Sequence, residues 1–496
     1  MLFLMSQNYS AKVELFQSDS QLEGVKKIIK MDNSIWVGTK RGIYQTVPEY
    51  NRLITVCAFY NSNSKEFGAP VSVLSMFLDE EKNLWVGTEQ NGILKYNGKT
   101  DNFVLYNYNP KNKTGLTSNR INCFYEDAFG VMWIGTAQGG INKLDKNQKP
   151  FYNYVYNPYD SQSLSSNLIT DIAEDSQGRV WLSFYDNTIC RTNGKIMLSE
   201  GNRIHFERLD KEFGQLKNKI VVSLFHDSKG YLWIGTYDGI YLFDKSTSNL
   251  KRVRLAYGKN NITTALNQVI RQLRPDQILI GGTQVYLLNN PWELILENEP
   301  VQVEDVLFDI GKNNLVNDFA LDEYGNYWFA TIDGIFRVGR EKEKIVVKNH
   351  LTANTGNDSL HLCHNNIFSL HKGKNNDIWA GTFGGGLMKI QLNSTGDPEQ
   401  IKSYHKKDGL PDEAVYGILE DDKGKFWIST DMGICRFDPL TEKIDVYDIN
   451  DGTGSINFRK SAYLKTRSGI MLMGGLNGLT VFDPSQIKKN TIPPKV

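Results

Sequence analysis

A cluster of histidine and cysteine is the first candidate for chemistry in this chain. His361-Leu362-Cys363-His364 brings three potential metal ligands into four consecutive residues. A structural zinc site needs four ligands in tetrahedral geometry, and the sequence offers no partner cluster. Residues 362–367 also align with residues 116–121, so the segment is predicted to be a loop that leads into a strand. We therefore expect no metal site and no cofactor.

Recurrent acidic pairs are the second candidate. Glu126-Asp127, Glu174-Asp175 and Glu420-Asp421 would suit a glycosidase, which places two carboxylates around one bond. Each pair lies in the same place before a turn-forming glycine, whereas a catalytic pair is expected once. We therefore predict a role in turns and no catalytic residue. His371 and His405 are unique to their copies, and their replacement would test this prediction.

The tryptophans mark a repeat. Eight of the nine lie in a short strand with an aromatic-then-small signature, as in Trp85-Val86-Gly87-Thr88 and Trp233-Ile234-Gly235-Thr236. Two further copies have leucine instead, at Leu279 and Leu472. The ten copies recur about every 48 residues, and self-similarity of that period indicates a solenoid, a propeller or an array.

Each copy is predicted to form four short antiparallel strands. In the third copy these are residues 121–125, 131–136, 141–144 and 151–156, separated by turns rich in Asp and Gly. Sheets of this kind stack radially in a β-propeller, where a large ring fills the space between blades and glycine permits close approach. We predict an all-β fold, a β-propeller of ten four-stranded blades.

Ten blades exceed the common range of four to eight in one ring. The favoured division gives three blades of a partial upstream propeller at 1–157, a seven-bladed propeller at 158–490 and an exit linker at 491–496. A single ten-bladed ring, or one ring closed from both chain ends, are the alternatives. The favoured division leaves an open edge on the first three blades.

One repeated polar slot is the candidate for ligand binding. It lies fourteen residues before the tryptophan position, just ahead of the first strand of a blade, so its side chains should surround one mouth of the channel. Polar groups that converge on a concavity are typical of small-molecule sites. The alternative is that asparagine here only caps or turns the chain. The six positions are Asn119, Asn167, Lys219, Asn314, Asn365 and Glu413.

Composition excludes several other classes. Lys and Arg number 56, as do Asp and Glu, so no overall field favours nucleic acid. No apolar run approaches the ~18–20 residues of a membrane span. The apolar start Met1-Leu2-Phe3-Leu4-Met5 is too short for a clear signal peptide. Five scattered cysteines imply no disulfide framework.

The best-preserved copies resemble the two-component-regulator propeller repeat. The fourth copy has Ser163-Leu164-Ser165-Ser166-Asn167 followed by Glu174-Asp175, Gly178 and Trp181. The third has Ser118-Asn119, Glu126-Asp127, Gly130, Trp133-Ile134-Gly135-Thr136 and Gly139-Gly140 at the matching positions. The end of the chain, with Phe482-Asp483-Pro484 and Pro493-Pro494, is similar to the family's last blade and exit.

The resemblance implies a function and a location. Such propellers form the periplasmic sensor region of hybrid two-component histidine kinases of Bacteroidetes, often linked to polysaccharide use, and are followed by immunoglobulin-like and kinase domains. It therefore implies a non-catalytic periplasmic sensor of an oligosaccharide or other small ligand. Its partners would be those downstream domains, a separate signalling protein or a second copy of the chain. A protein–protein interaction scaffold and a propeller-fold lyase are the alternatives.

Overall fold

The computed structural model describes residues 17–18 and most of 24–487. The gaps within that range are 48–51, 58–70, 98–101, 109, 111–114, 129, 146–148, 199–202, 263–265, 267–268, 306–313, 342–343, 354–359 and 456. The predicted exit linker at 491–496 lies outside the described residues. The chain forms two compact units, unit 1 with residues 1–148 and 489–496 and unit 2 with residues 149–488.

Unit 1 contains three sheets in its described residues, which we number blades 1 to 3. Blade 1 has the strand order β1-β5-β4-β3-β2, blade 2 runs from β6 to β9, and blade 3 has only β10, β11 and β12. The strands are β1 Gln17–Ser18, β2 Lys27–Met31, β3 Ser34–Thr39, β4 Gly42–Val47, β5 Arg52–Cys57, β6 Val73–Leu78, β7 Leu84–Thr88, β8 Ile93–Asn97, β9 Asn102–Tyr106, β10 Ile121–Glu126, β11 Val131–Thr136 and β12 Ile141–Asp145.

Unit 2 contains seven sheets in its described residues, blades 4 to 10. The first strand of unit 2, β13 Phe151–Tyr154, belongs to blade 10. Blade 4 contains β14 Ile169–Glu174, β15 Val180–Phe184, β16 Ile189–Thr192 and β17 Phe206–Arg208, and blade 5 contains β18 Val221–His226, β19 Leu232–Thr236, β20 Gly239–Asp244 and β21 Asn249–Val253. Blade 6 contains β22 Leu255–Tyr257, β23 Asn260–Ile262, β24 Val269–Arg274, β25 Gln277–Gly281, β26 Val285–Asn289 and β27 Val301–Asp305. Blade 6 also carries the short helix α1, Trp292–Leu296.

The remaining blades have four strands each. They are β28 Val316–Leu321, β29 Tyr327–Thr331, β30 Gly334–Glu341 and β31 Lys344–Leu351 in blade 7, β32 Ile367–Lys372, β33 Ile378–Thr382, β34 Leu387–Leu392 and β35 Pro398–Tyr404 in blade 8, β36 Val415–Glu420, β37 Phe426–Thr430, β38 Gly433–Phe437 and β39 Ile444–Tyr447 in blade 9, and β40 Phe458–Lys465, β41 Met471–Gly475 and β42 Gly478–Phe482 in blade 10. Single-turn 3₁₀ helices occur at Gly214–Leu216, Lys406–Asp408 and Ile449–Asp451.

The seven sheets of unit 2 form a closed ring. Their first strands contact one another in the cyclic order β14, β18, β24, β28, β32, β36, β40 and back to β14. Blade 10 is completed by β13, which pairs antiparallel with β42 from Phe151 opposite Phe482 to Tyr154 opposite Leu479. The first strand of unit 2 and its last strand therefore share one sheet, which ties the two ends of the ring together.

This closure corrects one prediction. The sequence predicts residues 151–156 to be the fourth strand of blade 3, but Phe151–Tyr154 lies in blade 10, and the described part of blade 3 has three strands. The compact units divide before Lys149. The predicted division of the chain into 1–157 and 158–490 stays a prediction. Blades 1 and 6 also depart from four strands: β1 adds to blade 1 in parallel, and the β22–β23 hairpin adds to the outer edge of blade 6.

Within a blade, the recurrent aspartate and tryptophan are directly joined. The aspartate of the first turn accepts a hydrogen bond from the indole Nε1–H six residues later, and its other carboxylate oxygen accepts the backbone N–H four residues later. One side chain thus fixes both the turn and the ring that fills the space between blades. The Asp–Trp distances are 2.8 Å for Asp79–Trp85, 2.9 Å for Asp127–Trp133, 3.0 Å for Asp175–Trp181, 2.8 Å for Asp227–Trp233, 2.9 Å for Asp322–Trp328 and 3.1 Å for Asp421–Trp427.

The ninth tryptophan, Trp292, makes the same kind of indole–aspartate hydrogen bond from a helix instead of a second strand. Blade 6 lacks tryptophan in its second strand, but Trp292 of α1 is buried and donates its indole N–H to Asp227 of blade 5 at 2.6 Å. The Lys229 ammonium lies 3.8 Å above the centre of that ring. The helix inserted in blade 6 therefore packs an indole against the turn of the neighbouring blade. Among the described residues, no helix is long and apolar enough to cross a membrane.

Candidate functional site

The six predicted site residues occupy equivalent places, immediately before the first strand of a blade. Asn119 lies in unit 1 and the other five in unit 2. The side-chain oxygens of Asn119, Asn167 and Asn365 accept backbone N–H groups of the segment arriving from the preceding strand, at 2.6, 2.7 and 2.7 Å. These asparagines therefore cap the link between blades, which is the alternative that the sequence leaves open. Their ligand-binding role stays a prediction.

The other three positions differ in chemistry. Lys219 donates from Nζ to Asp238 at 2.6 Å. Glu413 accepts from the backbone N–H of Lys406 at 3.0 Å and lies 3.2 Å from Nδ1 of His405. Asn314 is buried, and its side-chain oxygen accepts the N–H of Leu315 at 2.9 Å. The two departures from asparagine thus carry an ion pair, at Lys219, and a carboxylate–imidazole contact, at Glu413, at the same end of the blades.

A set of exposed apolar side chains surrounds this end of unit 2. In five of its blades the residue that follows the second strand is aromatic or aliphatic and 40–53% exposed. Each donates its backbone N–H to the carbonyl of the residue directly before the first strand of its blade, at 3.0–3.2 Å, which holds it beside the channel mouth. We call this set the collar: Tyr185, Tyr237, Ile332, Phe383 and Leu476.

Inside the collar, aromatic rings of blades 8 and 9 form a continuous platform. Phe383 meets Phe368 edge to face, with ring centres 5.4 Å apart, and Phe368 stacks on Tyr416 at the same distance with planes 14° apart. The Lys460 ammonium lies 5.7 Å from the Phe368 ring and donates to Asn317 Oδ1 at 3.2 Å. Burial, together with the charge of neighbouring Arg459, lowers the pKa of Lys460 to about 8.

Below the platform, unit 2 contains an axial cavity of about 320 Å³. Its walls come from the first strands of blades 4, 5, 6, 7 and 10, with apolar groups such as Phe225 and Leu464 and polar groups such as Asn317. The inner strand of blade 10 is irregular here, because Ser461 adopts φ +65° and the pairing with β41 slips between Phe458 and Tyr463. At this irregular stretch the Tyr463 side chain reaches the axial cavity of unit 2.

Two buried carboxylates face this cavity. Asp171 accepts the N–H of Leu224 at 2.7 Å, and Asp318 accepts the N–H of Leu370 at 2.9 Å, so each ties its blade to the next one. Asp318 also accepts the Tyr463 hydroxyl at 3.0 Å and lies 3.9 Å from the Arg271 guanidinium. Burial raises the pKa of both carboxyls, that of Asp171 to about 7, against the opposing effect of these N–H groups and Arg271.

The repeated asparagine position, from which the candidate site was predicted, does not reveal these carboxylates. The sequence does contain a signal for them. They lie ten residues before the tryptophan position, where the seven copies of unit 2 read Asp171, Ser223, Val269, Asp318, Ser369, Gly417 and Ala462. The residue type at this position varies from copy to copy. That variation identifies residues facing the axis better than the recurrent asparagine four residues earlier does. Gly417 has a defined role there, since a Cβ would lie 2.3 Å from the Tyr463 ring that reaches across the channel.

Two histidines that the sequence analysis names, His364 and His371, have structural partners. His371 Nε2 lies 3.0 Å from Glu420, and His364 Nδ1 accepts the N–H of Asn366 at 2.9 Å. Cys363 donates its thiol to the Gly385 carbonyl at 2.8 Å. In the part of the chain that the structure describes, no three His, Cys, Asp or Glu side chains gather as metal ligands.

The ring of radial sheets around an axial cavity defines a β-propeller, as the sequence predicts. Segments 115–138, 163–186, 215–238 and 409–432 match the family described as two component regulator propeller. The chain therefore carries repeats of that kind, and the resemblance drawn from the sequence is confirmed.

Three relatives place these repeats in context. A histidine kinase of Formosa agariphila is 25% identical over 274 residues, which are 53% of this chain and 19% of the kinase. Two extracellular domains described as parts of hybrid two-component systems of B. thetaiotaomicron have the same fold. They show TM-scores of 0.69 and 0.51 and identities of 23% and 18%, over 93% and 92% of this chain. The chain spans 56% and 57% of those domains.

Proposed function

We propose that the chain is the non-catalytic sensor part of a two-component signalling system and detects an oligosaccharide in the periplasm at the collar of unit 2. The observation that carries the proposal is the half-exposed Phe383 ring, which the buried Phe368 ring supports edge to face, next to Lys460 and Asn317. Ring faces stack on sugar rings, while amide and ammonium groups bond hydroxyls. The fold shared with extracellular domains of two-component systems supports the sensor role and the location.

Signalling from this site requires two arrangements with different ligand affinity. The collar side chains belong to turns that join the second and third strands of separate blades, so an extended ligand would contact several blades at once. Ligand binding would then favour one arrangement of the ring relative to its downstream partner, an immunoglobulin-like or kinase domain, a separate signalling protein or a second copy. Lys219 and Glu413, at the same end of unit 2, are the proposed determinants of specificity.

Calorimetric titration with a panel of oligosaccharides tests the proposal. Phe383→Ala should weaken binding about tenfold, because a stacked aromatic contributes on the order of 1–1.5 kcal/mol. Tyr257→Ala is the matched control, since Tyr257 is also 53% exposed but lies on the added hairpin of blade 6. Equal effects of the two substitutions, or no heat with any glycan on folded protein, would contradict a saccharide site at the collar.

A second candidate function, protein–protein contact, has support from blade 3. Trp133 is 39% exposed and Ile141 72%, whereas their counterparts Trp181 and Ile189 of blade 4 are fully buried by blade 5. We propose that residues 24–145 are three blades of a second propeller and that the occupant of this face is a further four-stranded blade. The face matches surfaces that a following blade covers elsewhere in the chain.

Quenching of tryptophan fluorescence by iodide tests the occupant. In the isolated chain, replacing Trp133 by Phe should remove most of the quenchable signal, while replacing the buried Trp85 by Phe should not. If Trp133 is protected from iodide in the purified protein, its face is already covered. Size-exclusion with light scattering then distinguishes a second copy from this chain's own segments.

A further inference from the structure

Asp171 is a buried carboxylate without a close ion pair, although the more distant charge of Arg271 lowers its pKa against the effect of burial. Its residue is only 7% exposed and faces the axial cavity. Backbone N–H groups of Ile172 and Leu224 occupy one position on each oxygen, at 2.8 and 2.7 Å. Among the described residues, no Lys, Arg or His nitrogen lies within 4.0 Å of it, whereas Asp318 has Arg271 at 3.9 Å. Buried charges in proteins are ordinarily paired, so this one is set apart.

The balance of charge around the cavity favours a cationic ligand. Asp171 and Asp318 face the single guanidinium of Arg271, and Glu174 at the cavity wall lies 3.3 Å from Arg467 Nε. Lys460 lies next to the wall, where it donates to Asn317, but among the groups that line the cavity Asp171 and Asp318 share the one guanidinium of Arg271. Burial raises the pKa of Asp171 to about 7, which reflects the cost of desolvating its charge. A ligand cation would remove this cost.

The shape and lining narrow the class of cation. A cavity of about 320 Å³ is at the small end of ligand pockets. Phe225, Leu464 and Ala173 give it an apolar wall next to Asp171, and no trio of metal-ligating side chains is found among the described residues. A divalent metal would need more oxygen ligands than Asp171 and Asp318 provide. A protonated amine with a short hydrocarbon portion satisfies both the carboxylate and the apolar wall.

We propose that the axial cavity of unit 2 binds a small organic amine, whose ammonium group pairs with Asp171 and whose hydrocarbon portion packs against Phe225 and Leu464. The site is separate from the collar, and it does not depend on whether the collar binds an oligosaccharide. Because its walls come from five blades, the amine would bridge first strands that are far apart in the sequence. Its binding would therefore stabilise the ring of unit 2 as a whole.

Thermal unfolding of the full chain with phenethylamine and with 2-phenylethanol tests the charge requirement. The two probes share the same hydrocarbon, and only the amine carries a charge at neutral pH. Phenethylamine at tenfold its Kd should raise the Tm of unit 2 by about 2 °C, and the alcohol should not. No shift with the amine, or equal shifts with both probes at equal concentration, would overturn the proposal.

Substitution locates the site. Asp171→Asn should weaken amine binding at least about tenfold, while Glu207→Gln, at an exposed position of the outer strand of blade 4, should leave it unchanged. Persistence of the shift in Asp171→Asn would refute the assignment. Because an amide cannot accept both backbone N–H groups, this variant could fail to fold. A crystal structure of the wild-type chain soaked with phenethylamine then decides: the ammonium should lie about 3 Å from an Asp171 oxygen, and its absence from the cavity contradicts the proposal.

Discussion

Replacement of Asp175 by asparagine measures how much the charge of the repeated aspartate contributes to stability beyond its hydrogen bonds to the turn and to the indole. Asp175 is fully buried, and its Oδ2 accepts from Trp181, from Lys245 Nζ and from Arg179 Nε, each at 3.0 Å. Burial alone would raise the pKa of Asp175, but the hydrogen bonds from Trp181 and Lys245 and the Lys245 charge hold it below its ordinary value. The carboxylate is therefore ionised in the folded protein and paired with two cations.

The magnitude follows from what the amide leaves unpaired. Breaking a buried ion pair by removing one partner costs about 3–5 kcal/mol, because the remaining cations stay buried without compensation. Asp421→Asn is the matched control: Asp421 bonds Trp427 and the turn N–H groups in the same way, but no cationic nitrogen of the described residues lies within 4.0 Å of it. Its loss should cost about 1–3 kcal/mol, the cost of one unsatisfied buried donor.

Urea unfolding followed by fluorescence measures both variants. We expect the free energy of unfolding to fall by about 2 kcal/mol more for Asp175→Asn than for Asp421→Asn, with similar m values. If the control loses as much as Asp175→Asn, the charges of Lys245 and Arg179 contribute nothing, and the pair is only a turn and packing device.

Three other changes follow from the same contacts. Burial, and next the Lys245 charge, lower the pKa of His226 to about 3. Between about pH 6.5 and 3 only the unfolded chain binds this proton, so the free energy of unfolding should decrease by up to about 1.4 kcal/mol for each unit by which the pH falls. His226→Phe should remove this part of the acid sensitivity, measured by urea titrations at several pH values. Phe151→Ala removes a ring that contacts Tyr447 and Phe482 where β13 closes unit 2, and should lower the free energy of unfolding by about 3–5 kcal/mol. An unchanged midpoint in chemical denaturation would mean that β13 does not close the ring. Ile141→Lys on the open face of blade 3 should raise the solubility of the isolated chain and leave its Tm within about 1 °C, and a larger fall in Tm would show that the face is covered.

Much of the fold is readable from local patterns in the sequence. The second strands coincide with the tryptophan signature, and the turns fall at the predicted Asp and Gly positions, because both depend on residues close together in the chain. The partner of β13 is not local. The alternating residues 151–154 would suit β12 just before them or β42 far later, and only the closure of the ring decides between the two.

The candidate site was harder to predict for a related reason. The collar residues vary in type, from Tyr237 to Leu476, and what they share is only a place in a turn. Asp171, Arg271 and Tyr463 lie far apart in sequence and converge because first strands of different blades surround one axis. Asn167 and Asn365 stand out because they recur, and recurrence here reflects the link between blades.

Hydrogen–deuterium exchange tests the central claim that the ligand of this sensor binds at the collar. The chain would be compared alone and with a saturating oligosaccharide identified by calorimetry. Slower exchange should be confined to the collar turns, residues 184–188, 236–239, 331–334, 382–386 and 475–478, and to the first strands beside them. Protection on the outer strands or in unit 1, with the collar turns unchanged, would contradict the claim.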